Sequence, residues 1–89
     1  MTAAELLRKE MEQDAPFTKQ EFIEVVTSAI KRNGAYQYMV DARIGKGSLK
    51  SGTIPGKYHE LIKKWAKEEG FTITRYTNYY GVPEFDITL

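Results

Sequence analysis

Between Ile54 and Gly70 the apolar residues Tyr58, Leu61, Ile62, Trp65 and Ala66 fall at i, i+3, i+4, i+7 and i+8, the spacing of one buried face of an α-helix. The rest of the chain is organised around that stripe, with Trp65 as its largest member. Pro55 suits the first turn, where its missing N–H costs nothing, and Gly70 suits the left-handed position that closes the helix and folds Phe71 back towards Ala66. Lys57, Glu60, Lys63, Lys64, Lys67 and Glu68 are left for the solvated side, and Glu60 is spaced to meet Lys63 or Lys64.

Earlier in the chain, Thr2 and Glu5 have the spacing of a capping box, so a helix is expected from Ala3 to Gln13. Its stripe of Ala3, Leu6, Leu7 and Met11 is narrow, which suits a terminal helix laid on its own domain, a loose arm or half of an interface. Asp14-Ala15-Pro16 breaks it, because the residue before a proline is pushed out of helical conformation. Thr18 and Glu21 then form a second capping box, with Phe17 and Phe22 placed as a hydrophobic staple. The helix they start presents Phe22, Val25, Val26, Ala29 and Ile30 on one face and ends in Lys31-Arg32-Asn33-Gly34, bases in the last turn and glycine after it. Val25 and Val26 are poor helix formers, so packing has to hold this element in place.

From Ala35 to Ile44 the period changes to two, with Tyr36, Tyr38, Val40, Ala42 and Ile44 alternating with Gln37, Met39, Asp41 and Arg43, which predicts a strand. Gly45 to Gly52 has no period and reads as a flexible loop. Phe71 to Thr77 and Val82 to Thr88 are rich in β-branched and aromatic residues and are separated by Asn78-Tyr79-Tyr80-Gly81, a hairpin with a four-residue loop. Pro83 belongs at a strand start or on an outward edge. The expected fold is α+β, in the order helix-helix-strand-helix-strand-strand. It is a single domain over residues 1–89, a three-stranded mixed sheet with helices packed on one face and residues 1–14 as a candidate helical arm. A right-handed crossover sets the Ala35 and Phe71 strands parallel in that sheet, and the other face is left with the remaining tyrosines and threonines.

A chain of 89 residues encloses only a thin core, so partner binding or homo-oligomer formation is a natural supplement to its stability. There is no cysteine, which removes disulfides, thiolate catalysis and Cys-ligated metals. Glu5, Arg8, Lys9, Glu10 and Glu12 stand where a signal peptide needs an apolar run, so the expectation is a soluble, cytoplasmic protein with no membrane partner. Net charge is +1 but unevenly spread: residues 31–64 hold eight bases against two acids, while both flanking segments are acidic. The middle alone attracts anions.

Within that middle, Lys46, Lys50 and Lys57 flank a glycine-rich stretch ahead of a helix start, where free N–H groups and partial positive charge favour an anion. The stretch lacks the glycine-lysine-serine/threonine ending of a Walker motif, and a lysine-bearing surface loop has the same composition. His59, the single histidine, has no nucleophile nominated near it and is expected on an exposed helix face. One histidine with scattered carboxylates does not have the spacing of a metal site, and no residue set points to catalysis or a cofactor. Six tyrosines are the compositional oddity, suited equally to stacking platforms for nucleic-acid bases and to an adaptable protein-binding surface. Tyr36, Tyr38 and Tyr58 are expected in or beside the core. Tyr79 and Tyr80, at a hairpin tip, have no structural reason to be aromatic and are candidate contacts with a partner. Glu68 with Glu69 reads as a solvated helix end, and Glu84 with Asp86 as the wet side of a strand.

The run from Tyr58 through Trp65 to Glu69-Gly70-Phe71, followed by a short strand, a tyrosine-rich turn and Phe85-Asp86-Ile87-Thr88-Leu89, resembles small phage-encoded α+β proteins of largely unassigned function. The resemblance covers Ala35 to Leu89 in layout and implies a virion or host-interaction role, in the host cytoplasm or the virion, without enzyme activity. The functional expectation is therefore a non-enzymatic binding protein with a protein partner. The alternative is a nucleic-acid or nucleotide-phosphate binder using Lys46, Lys50 and Lys57.

Overall fold

The computed structural model describes residues 2–41, 43 and 47–89. Its elements are α1 (Ala3–Asp14), α2 (Lys19–Asn33), β1 (Tyr36–Asp41), β2 (Thr53–Pro55), a 3-10 turn (Gly56–Tyr58), α3 (His59–Glu68), β3 (Thr72–Thr77) and β4 (Pro83–Thr88). The expected strand positions Ala42 and Ile44, and Gly45 and Lys46 of the loop, lie outside the described residues. The fold is α+β, and its mixed sheet has four strands rather than three, in the order β2-β1-β4-β3.

The additional strand comes from residues expected to open the central helix. Thr53, Ile54 and Pro55 pair in parallel with Met39, Val40 and Asp41, so Pro55 ends an edge strand and α3 starts four residues later. Two forces favour this arrangement: Ile54 is fully buried beside Val40, and a proline is tolerated where one side of a strand has no neighbour to bond. The far end of α3 is as expected. Gly70 adopts φ 80°, its N–H donates to Lys67 O at 3.1 Å and the Phe71 N–H donates to Ala66 O at 2.9 Å, a complete Schellman closure.

α2 keeps both halves of its capping box, with the Glu21 N–H donating to Thr18 Oγ1 and the Thr18 N–H donating to Glu21 Oε1, each at 3.1 Å. It stops at Gly34, φ 85°. Phe17 and Phe22 both pack on Trp65, with ring centroids 6.2 and 5.7 Å away. Trp65 is 1% exposed and stands at the centre of the core. Val26 and Ala29 from α2, Leu61, Ile62 and Ala66 from α3, and Tyr36, Tyr38, Phe85 and Ile87 from the sheet complete it. Leu49 is buried too, although it comes from a stretch without period. The Tyr36 hydroxyl donates to its carbonyl at 2.6 Å and thereby fixes this loop to β1.

β4 lies between β1 and β3 and is antiparallel to both, so β1 and β3 run parallel as expected without touching. Tyr38, Phe85 and Arg75 follow one another across the sheet on the helix side. Met39, Glu84 and Tyr76 do so on the other face, which also carries Thr72, Thr74 and Thr88. α1 buries no residue. It is tied down at its end, where the Tyr58 hydroxyl donates to Asp14 O at 3.2 Å and Met11 packs against the core. Leu6 and Leu7 are 50% and 56% exposed.

Candidate functional site

The β3–β4 hairpin loop is built on Asn78. Its backbone N–H donates to Val82 O at 3.1 Å and its carbonyl accepts from Gly81 N at 3.0 Å. Its side-chain Oδ1 accepts from the N–H groups of Tyr80 and Val82 at 2.9 and 3.0 Å, while Nδ2 donates to Glu84 Oε1 at 2.9 Å. Gly81 takes φ 76°, the left-handed turn the loop needs. Asparagine suits this position because its short amide reaches backbone two residues on and still has donors to spare.

Held out by that loop, Tyr79 and Tyr80 are 96% and 85% exposed, their rings edge to face at 5.5 Å. Both stand at the tip, where they were expected. Tyr76 continues the aromatic surface along the open face. The Glu84 carboxylate beside it, with burial and Asp86, pushes the Tyr76 hydroxyl up to about 12. Asn78 and Tyr76 in turn hold Glu84 below the usual carboxylate range. The tip therefore offers two exposed rings and their hydroxyls on a backbone fixed by Asn78.

Two of the three lysines proposed to hold an anion, Lys50 and Lys57, are among the described residues. Lys46 lies outside the described residues. Lys50 follows Ser48, whose Oγ accepts the Lys50 N–H at 3.2 Å, and lines a groove against α2 with Glu24 and Arg32. Lys57 is absent from that groove; its ammonium sits 5.0 Å from the Tyr58 ring centroid, a cation–π contact.

His59 departs from expectation. It is half-buried rather than exposed, with Nε2 3.3 Å from the Tyr38 hydroxyl and its ring centroid 4.3 Å from that of Phe85. Burial, and then the charge of Lys63, hold its pKa below the ordinary value, with Arg75 adding in the same direction against Glu60. Burial raises the Tyr38 hydroxyl as well, so the contact pairs two neutral groups and seals the edge of the core. Glu68 and Glu69 also do more than solvate a helix end: each lies 3.3 Å from the Lys19 ammonium and ties α2 to the end of α3. Among the described residues no group of three or more His, Cys, Asp or Glu is placed to hold a metal ion, and no helix is long and apolar enough to cross a membrane.

A feature that residue spacing did not disclose lies at the opposite side of the sheet from β2. Lys63, Lys64 and Lys67, with Glu60 as the one acid among them, line a trough together with Phe71 and Ile73, beside the outer strand β3. In sequence they are only the wet side of an amphipathic helix. Compared with known proteins, the chain matches no protein-family model, no curated protein and no solved structure.

Proposed function

We propose that this chain is a non-enzymatic binding protein that engages a protein partner through the β3–β4 hairpin tip, with Tyr79 and Tyr80 as the main contacts. The observation that carries the reading is the pairing of two almost fully exposed, adjacent tyrosines with a loop backbone fixed by Asn78. Exposed aromatic rings are disfavoured in water, and a loop already in one conformation loses little entropy when it binds. Tyrosine at the centre of an interface commonly supplies a large share of its affinity. The layout resemblance to phage-encoded proteins extends the proposal to a virion or host-interaction accessory.

The test is quantitative capture of partners by the wild-type chain, by a Tyr79→Ala/Tyr80→Ala variant and by a Lys46→Ala/Lys50→Ala/Lys57→Ala variant, all with matched melting curves. The tyrosine change is expected to remove most of the bound partner and the lysine change to leave it. The reverse result, with binding that falls steeply as salt rises, selects the phosphate-binding alternative.

A further inference from the structure

We propose that the outer edge of β3 takes an extended acidic segment of a partner protein as a fifth strand, its carboxylates at every second position facing the lysines of α3. The inference does not rest on the tyrosine contact, and either can fail without the other.

β3 is the last strand on its side of the sheet and pairs only with β4 among the described residues. In an antiparallel ladder alternate residues turn both N–H and C=O away from the partner, so a six-residue edge offers a row of unused donors and acceptors. Thr72 to Thr77 contains no proline and pairs with β4 without a break in register, and its one charged residue, Arg75, opposes a basic or uncharged added strand while admitting an acidic one. Addition of a strand to such an edge is an established mode of peptide recognition, in which backbone bonds give affinity and alternate side chains give selectivity.

Charge selects the occupant. On the helix side, Ile73 and Arg75 lie across from Ile87 and Phe85, and the trough there is lined by Lys63, Lys64 and Lys67 against the single acid Glu60. Lys63 meets Glu60 at 3.6 Å; Lys64, Lys67 and Arg75 form no ion pair among the described residues. Every second residue of an added strand points into this basic trough and gains from a carboxylate. The intervening residues lie beside Thr72, Thr74 and Tyr76 on the open face, where Glu84 and Asp86 repel a further acid. The edge thus favours acid at alternate positions and uncharged residues between them.

A second copy of this chain fits less well. Pairing β3 with itself, helix sides together and Thr74 opposite Thr74, brings two α3 faces towards each other, each with three lysines against the single Glu60, and adds no acid for Lys64 or Lys67. A nucleic acid supplies negative charge but no backbone ladder for the unused N–H and C=O groups.

The experiment uses the full chain with a blocked peptide Val-Glu-Thr-Glu-Val-Glu-Thr-Glu, followed by amide chemical shifts and hydrogen exchange. Expected are shifts centred on Thr72 to Thr77 and slower exchange of the outward amides of β3. A Lys64→Glu/Lys67→Glu variant that melts like wild type should bind roughly tenfold more weakly or worse. A peptide with lysine in place of each glutamate should not bind. The proposal is overturned if the lysine peptide binds equally, if protection appears away from β3, or if no binding occurs at millimolar peptide. It is also overturned if β3 is already protected in a concentration-dependent dimer, or if a single-stranded oligonucleotide is held in place of the peptide.

Discussion

β2 and β3 close the same sheet on its two sides, yet β2 is three residues long and ends in Pro55, whereas β3 runs for six residues with no partner outside it among the described residues. The loop before β2 folds back on it. Ser48 exchanges backbone hydrogen bonds with Thr53 at 3.0 and 3.2 Å, and a Cβ added at Gly47 would strike the Thr53 carbonyl and the Pro55 ring. Shortness, proline and a covering loop are the usual means of keeping a strand edge from recruiting another chain. Both ends of the sheet thus obey the same hydrogen-bonding rule, and among the described residues the β2 end has backbone bonds on its outer side, at Thr53, while β3 has none.

The largest effect should come from removing what supports both edges. Trp65→Ala should cost about 3–5 kcal/mol in urea unfolding, enough to unfold a domain this small. An unchanged midpoint would place Trp65 outside the core. The edges should then separate: Ile54→Ala, at a fully buried side chain of β2, should cost about 2–5 kcal/mol, and Ile73→Ala, half-buried in β3, about 1 kcal/mol. Equal losses would break the contrast between a closed and an open edge.

Next in size is the loop that closes β2. Gly52 has φ 69°, and a Cβ there would lie 2.9 Å from the Gln37 carbonyl oxygen, so Gly52→Ala should destabilise by about 1–3 kcal/mol. Thr74→Ala on the open edge should change stability by no more than about 0.5 kcal/mol. The two melting curves decide whether the covering loop is structural.

Acidity probes the open side more gently. The folded-state pKa of His59 is lowered by burial and by Lys63, so the unfolded chain binds its proton more readily. That contribution is complete above the ordinary histidine pKa of about 6.5 and is lost as pH falls through it towards the lower folded value. The melting temperature should therefore drop between pH 7.5 and 5, and less so in His59→Gln. The smallest change expected is at the exposed leucines of α1, where Leu6→Ser/Leu7→Ser should stay within about 0.5 kcal/mol of wild type. A larger loss, or a change in sedimentation, would show that α1 has a covering surface in solution.

What was legible in the sequence was local. Thr18 with Glu21, Gly34, and Gly70 with Phe71 specify their own caps through neighbours within a few residues, and α2, the end of α3 and the hairpin followed from them. β2 was hidden because three residues are too few to show a period, and because Pro55 fits a helix start as well as an edge strand. Leu49 was hidden among glycines, serines and lysines, since its burial depends on Tyr36 and on the return of the loop to β1. His59 was misplaced for the same reason: Tyr38 and Phe85, which half-cover it, arrive from distant strands. The tip tyrosines needed only a turn signal to be found. The basic trough needed the strand order, and no residue spacing encodes which strand ends up outermost.

That strand order also dictates a sequence of events. β4 comes after every other element yet occupies an inner position, so Tyr36 must wait for Ile87 before β1 gains its second neighbour, and β3 joins the sheet only through β4. Closing so long a loop is entropically slow, and until it closes β1 has only the short β2 beside it. On a ribosome, the pairing of β1 with its second neighbour and of β3 with the sheet therefore becomes available only once residues 83–88 have emerged.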